Sequence, residues 1–274
     1  MAEIPRRVRR TSIPMPPYRA VLAVDAEKYS RTSSYNQRIL SNTVRDALEE
    51  AFRGSGLEHL WRNASFPQTT GDGYVVGVQP EHLPLLIHPL LGELQAVLGE
   101  IQPGLAFEDR SLRLRLRAAI GLGPLPDSGG DERGDGVGTA MNETHRLLDA
   151  PALRAGLADS DPEITFLAAG ITRRVYEDAV LGGYVGLAPR HFHETEVDLP
   201  DKEYRAEAYL YIPQPSLRPP EARGTGGSAP RETAQRSGGH DPDSSQGQGQ
   251  GQSQAPRPGR GAAGAITFEA IPDA

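Results

Sequence analysis

"QTTGDGYVVGV", residues 68–78, decides how the chain is read. Asp72 sits between Gly71 and Gly73, and glycine supplies the backbone conformations that a tight turn needs. An apolar run, "GYVVGV", follows at once, and "LEHLWRNASF", residues 57–66, precedes it. The pattern predicts two strands joined by a Thr-Gly-Asp-Gly turn, hence a hairpin. Asp72 either shapes that turn or is held out by it to grip a ligand. The second reading needs a partner elsewhere in the chain.

Working outward, "YRAVLAVDAEKYS" opens with a buried-strand pattern that ends at Asp25. A helix is expected over 34–53, with Ile39, Val44, Leu48 and Phe52 on its apolar side, stopped by Gly54 and Gly56. Residues 82–102 read as a second helix whose first half is disturbed by Pro84 and Pro89. "LRLRLRAAIGLG", residues 112–123, alternates with period two and reads as a strand. Residues 139–157 read as helix broken near Pro151. "EITFLAA" (163–169) reads as a strand, "GITRRVYEDAV" (170–180) as a short helix, and "KEYRAEAYLYIP" (202–213) as a closing strand. The order β-α-β-β-α-β-α-β-α-β implies an α+β sandwich containing the ferredoxin-like split βαβ unit.

Four segments follow. Residues 1–17 carry an Arg cluster and prolines and read as a flexible arm. Residues 18–214 are the globular domain. Residues 215–264 are rich in Gly, Ser, Gln and Pro and cannot bury a core, so a disordered linker is expected. Residues 265–274 form a short C-terminal segment. The chain has 36 acids against 29 bases and a net charge of -7. That excludes a general nucleic-acid binder, which is normally basic. With no cysteine, disulfides and thiolate metal sites are excluded. No apolar run suits a membrane span, and a cytoplasmic protein is expected. Only two lysines occur, Lys28 and Lys202; all other fixed positive charge is arginine.

Asp25 is the candidate partner for Asp72, because in a ferredoxin-like sheet the first strand and the hairpin can be neighbours. One reading is that Asp25 caps a turn and Asp72 shapes a hairpin. The other is a hard-cation site. Carboxylate oxygens suit Mg²⁺ or Mn²⁺, which keep waters and take further ligands from phosphates. The segment after Asp25, "AEKYS", turns out of the strand, and its backbone N–H groups suit a phosphate nest around Ala26, Lys28, Tyr29 and Ser30. Asn142 and Arg146 are spaced i, i+4 and share one helix face. They form either a solvated face or a site for a ribose oxygen and a phosphate.

The four motifs "VLAVDAEKYS", "TTGDGYVV", "LRAAIGLG" and "GTAMNETHRLL", in that order, resemble the catalytic domains of the class III nucleotide cyclases, the adenylate and guanylate cyclases. The resemblance covers most of residues 18–214. It implies that Asp25 and Asp72 hold two metal ions, Mg²⁺ or Mn²⁺. It implies that Asn142 orients the ribose and Arg146 stabilises the transition state. Gln68 and Asp135 stand at the base-selecting positions, and Lys202 stands near the family's phosphate-binding lysine. Lys28 stands where the family has glycine, and Gln68 where adenylate cyclases have lysine. The implied reaction forms a 3′,5′-cyclic nucleotide and pyrophosphate, with ATP favoured by Asp135, in a homodimer that shares its active sites. The alternatives are a pyrimidine nucleotide cyclase and a cyclase-like module that binds nucleotide without turnover. A third is an interaction protein built on the arm and tail.

Three further features have plainer readings. His191, His193 and Glu194 could place a zinc pair on one strand face, but a solvated strand is the simpler expectation. His145 reads as surface. Trp61 is expected in the core or at a dimer seam.

Overall fold

The computed structural model describes residues 12–129 and 134–218. The arm up to residue 11 and the expected linker and C-terminal segment beyond 218 lie outside the described residues.

Among the described residues seven strands form one sheet: β1 (Tyr18–Ala26), β2 (Ser65–Thr69), β3 (Gly73–Val78), β4 (Leu116–Pro124), β5 (Leu167–Thr172), β6 (His193–Leu199) and β7 (Tyr204–Tyr211). Their order is β2-β3-β1-β4-β5-β7-β6. The β4/β5 pair is parallel and the rest are antiparallel. Strands β2-β3-β1-β4 are the expected ferredoxin-like unit; β5 and the β6–β7 hairpin extend it. Period-two alternation in β1 sends Ala20, Leu22 and Val24 to one core and Val21 and Ala23 to the other.

The first core lies under α1 (Ser34–Gly54) and α4 (Leu90–Glu108). Ser33 caps α1 by accepting from the Asn36 N–H. Leu40, Val44, Leu48 and Phe52 point inward at helical spacing, whereas Ile39 is only partly buried. On the opposite face lie α5 (Thr139–Leu148) and α6 (Pro151–Ala158), split at the expected proline. There Leu147, Leu148 and Leu153 pack on Val21, Ala23 and Ala119.

Several boundaries differ from the sequence reading. Residues 57–66 are not a strand: Glu58–Arg62 form a short helix, α2, and β2 begins only at Ser65. Leu57, Leu60 and Trp61 follow i, i+3, i+4 spacing, which suits a helical turn. Trp61 packs between Phe52 and Tyr74, at ring separations of 5.3 and 5.4 Å, and so belongs to the core edge. The helix expected over 82–102 is two, α3 (Leu83–Ile87) and α4, separated by Pro89, which has no N–H to continue the ladder. The strand expected over 163–169 starts four residues later, because Asp161 gathers the N–H groups of Glu163, Ile164 and Thr165 into a turn. After β5 a single turn, α7 (Arg173–Val175), widens into a π-turn over Tyr176–Leu181. His193 opens β6, but His191 lies in the preceding 3-10 turn, so the two do not share a strand face. No helix among the described residues is long and apolar enough to cross a membrane.

Candidate active site

Asp25 is the last residue but one of β1, opposite Gly73 on one side and Arg117 on the other. Alternation turns it away from the first core, toward the face that carries α5 and α6. Arg117 Nε donates to Asp25 Oδ1 at 2.9 Å and Nη2 donates to Oδ2 at 2.7 Å. Both side chains are nearly covered, at 11% and 15% exposure. Burial pushes the Asp25 carboxyl up from 3.8 to about 6. Arg117 opposes that rise, while the nearby charges of Asp72 and Asp149 add to it.

The hairpin explains how Asp72 reaches this place. Gly71 is left-handed, with φ of 92°, and the Thr70 N–H closes the turn on the Gly73 carbonyl at 3.0 Å. A Cβ on Gly73 would lie 2.0 Å from the Val24 carbonyl oxygen. Only glycine therefore lets the hairpin close onto β1. The Ala26 N–H then donates to the Asp72 carbonyl at 2.8 Å. The two acids end up at neighbouring strand ends.

The chain leaves β1 through a turn in which Lys28 is left-handed, with φ of 59°, and Tyr29–Arg31 form a 3-10 turn. Lysine thus occupies a conformation that glycine adopts without penalty. Among the described residues, the N–H groups of Lys28, Tyr29 and Ser30 meet no backbone carbonyl. The Lys28 ammonium pairs with Glu27 at 3.1 Å. Ala26, Lys28, Tyr29, Ser30, Asp72 and Arg117 all line one cavity of about 340 Å³, with Arg154 of α6 on its far wall.

Asn142 and Arg146 do not line this cavity. They sit on α5, where Asn142 is exposed and the Arg146 guanidinium lies 4.7 Å over the Tyr204 ring. The glycines of "IGLG" seat that helix. A Cβ on Gly121 would meet Thr144 Oγ1 at 2.1 Å, and one on Gly123 would meet Ala140 Cβ at 2.7 Å. His145 is half-buried rather than on the surface, and burial holds its imidazole below the usual value.

Gln68 is exposed on β2, opposite Val75 of β3. Asp135 accepts from the Ser128 N–H at 2.9 Å and from its hydroxyl at 2.7 Å. Lys202, in the turn before β7, donates to Asp149 at 2.5 Å, and Arg154 donates to the other Asp149 oxygen at 2.8 Å. Burial works to raise the Asp149 carboxyl, but Lys202 and Arg154 together hold it below the usual range. Asp149 also acts on Asp25 through its charge, the weakest of the influences on that carboxyl. Arg117, Asp149 and Arg154 were given no role from sequence. Arg117 was legible, because it shares the alternation of "LRAAIGLG" that turns Ala119 and Gly121 to the Asp25 face.

Among the described residues no three His, Cys, Asp or Glu side chains gather into a metal cluster. The Asp25–Asp72 pair nevertheless suits a hard cation. Each Asp25 oxygen keeps a lone pair after Arg117 is served. Burial above all raises its pKa, Arg117 does not bring it back to the usual range, and Asp72 and Asp149 add to the rise. A cation there would complete its shell with waters and phosphate oxygens.

No family model and no curated protein matches the chain. Among solved structures it is similar to the guanylyl cyclase Cya2, at 14% identity and a TM-score of 0.49, over 75% of this chain and 95% of that one. It is similar to the adenylyl cyclase CyaB from P. aeruginosa, at 12% identity and 0.46, over 71% and 93%. It is also similar to the adenylate/guanylate cyclase/hydrolase from Silicibacter pomeroyi, at 18% identity and 0.46, over 71% and 96%. In its motifs, their order and the sheet that gathers them, the chain resembles the catalytic domains of the class III nucleotide cyclases.

Proposed function

We propose that the chain is a nucleotide cyclase that converts a nucleoside triphosphate into a 3′,5′-cyclic nucleotide and pyrophosphate, with ATP the favoured substrate. The observation that carries this reading is the closure of the Gly71-Asp72-Gly73 turn onto β1, where Gly73 stands opposite Asp25 and Asp72 lines a cavity with Lys28, Tyr29 and Ser30.

Asp25 and Asp72 would hold Mg²⁺ or Mn²⁺, two per site, which supply an acidified 3′-hydroxyl and charge neutralisation for the triphosphate. The N–H groups of Lys28, Tyr29 and Ser30 would bind phosphate oxygens as a nest. Lys202, which donates to Asp149, would add a point charge. Arg146 would meet charge developing on the transferring phosphoryl group, and its loss is expected to cost ~10²–10³ in rate. Asn142 would orient the ribose. Gln68 would donate to the base and Asp135 would accept from it, a polarity that suits adenine and also cytosine.

In one chain Asn142 and Arg146 do not line the cavity that Asp72 lines. A two-fold homodimer, the commonest oligomer, would bring the α5 face of one copy to the acids of the other. The half-exposed setting of Arg146 on Tyr204 fits that use.

A second reading is a module that binds nucleotide without turnover. It is favoured by Arg117, which occupies both oxygens of Asp25. Incubation with ATP, GTP, CTP and UTP and Mn²⁺, with product detection by mass, separates the two. A cyclic nucleotide from wild type and none from Asp72→Ala supports the cyclase. No product from any of the four, with binding retained, supports the module.

A further inference from the structure

A second cavity, of about 400 Å³, opens on the other side of the Lys28 turn. The chain as a whole is acidic, at -7, yet this wall is strongly basic: Lys28, Arg110, Arg113, Arg115 and Arg218 face the single acid Glu27. Arg115 is its fixed element. Its guanidinium is almost wholly covered, at 6% exposure. It donates through Nε to the Thr165 carbonyl at 2.9 Å and through Nη2 to the Leu157 carbonyl at 2.6 Å. Its Nη1 reaches Glu27 at 3.1 Å.

Arg113 and Arg218 stand close enough to Arg115 to repel it. Arg113 pairs with Glu163, but that pair is open to water, at 38% and 68% exposure. Such a pair contributes little and yields readily to a stronger anion. Arg110 is exposed at the rim. Leaving Arg218 aside, Lys28, Arg110, Arg113 and Arg115, the last built in by carbonyl bonds, stand against only Glu27 and the exposed Glu163, so among the described residues the cavity is short of negative charge. Guanidinium groups match the oxygens of phosphate in forked pairs.

We propose that this cavity is a second anion site, distinct from the cavity that Asp72 lines, and that it takes a compact, multiply charged phosphate. It shares Glu27 and Lys28 with the Asp72 cavity. An anion that draws Arg115 from Glu27 alters the two contacts that hold the Lys28 turn, Glu27 to Arg115 and Glu27 to Lys28. Occupancy therefore acts on the turn that walls the first cavity.

The test is calorimetric titration of the full chain with inorganic tripolyphosphate in EDTA, where no metal-assembled site forms. Wild type and Asp72→Asn are expected to bind alike. The double variant Arg110→Ala, Arg113→Ala is expected to bind at least about tenfold more weakly. Both positions are solvent-accessible, so folding is retained and circular dichroism checks it. Arg45→Ala, on the outer face of α1, serves as the control for general charge and is expected to leave binding unchanged. No binding by wild type would overturn the proposal. So would equal binding by the double variant, or a loss in Asp72→Asn as large as that in the double variant. None of these results depends on whether the chain turns over a nucleotide.

Discussion

Asp25 and Arg117 face each other across β1 and β4, and the guanidinium of one grips both oxygens of the other at 2.9 and 2.7 Å. The pair is nearly dry, and Asp72 and Asp149 press on it from outside. Removing one partner of such a pair leaves the other charge buried and uncompensated. Arg117→Ala is expected to lower stability by about 3–5 kcal/mol. Urea denaturation in EDTA reads this directly. A loss below about 1 kcal/mol would mean that Asp25 is already neutral in the folded chain.

The raised Asp25 pKa makes stability depend on pH with a defined sign. The folded state holds the Asp25 proton up to about pH 6, whereas the unfolded chain releases it near 3.8. Between those values the folded state binds more protons, so this residue's contribution to stability falls as pH rises through the window. The cost is complete above about pH 6. The linkage amounts to roughly 3 kcal/mol. Asp25→Asn lacks this titration. Its stability relative to wild type is therefore expected to improve by up to that amount between about pH 4 and pH 8. Denaturation of both proteins at the two pH values, without metal, is the check. A constant difference would contradict the raised pKa.

Gly73→Ala probes the hairpin. The added Cβ would fall 2.0 Å from the Val24 carbonyl, a backbone atom that cannot swing aside. Overpacking of this kind costs about 1–3 kcal/mol. The hairpin is expected to lift from β1 and separate Asp72 from Asp25. Metal-dependent activity should therefore fall further than stability does. Gly56→Ala, at a glycine far from the hairpin with open space around it, is expected to leave activity intact.

How much of this was legible in the sequence differs from element to element. The hairpin turn, β1 and the split at Pro151 were read correctly, because glycine spacing, period-two alternation and proline act locally. Residues 57–66 were misread because a five-residue helix shows barely one period of its pattern. The start of β5 was missed because Asp161 captures the following N–H groups, a contact set by loop geometry. Asp72, Lys28, Tyr29 and Ser30 line one cavity, and Asp25 is tied to it through Arg117 rather than lining it. Arg117 was in plain view but had no role, since its partnership with Asp25 depends on a register between strands 92 residues apart. Asp149 and Arg154 enter the site only through the packing of α5 and α6, which no local pattern reveals.

The central claim is a cyclase whose two half-sites come from two copies, and mixing two inactive variants tests it most directly. Asp72→Ala keeps an intact α5 face; Arg146→Ala keeps intact acids. Each alone is expected to form almost no cyclic nucleotide with Mn²⁺ and the four triphosphates. Mixed and allowed to exchange partners, they form some dimers with one complete site, and activity is expected to return to a sizeable fraction of wild type. A mixture that stays silent beside an active wild type would contradict the shared site, and a silent wild type would contradict the cyclase itself.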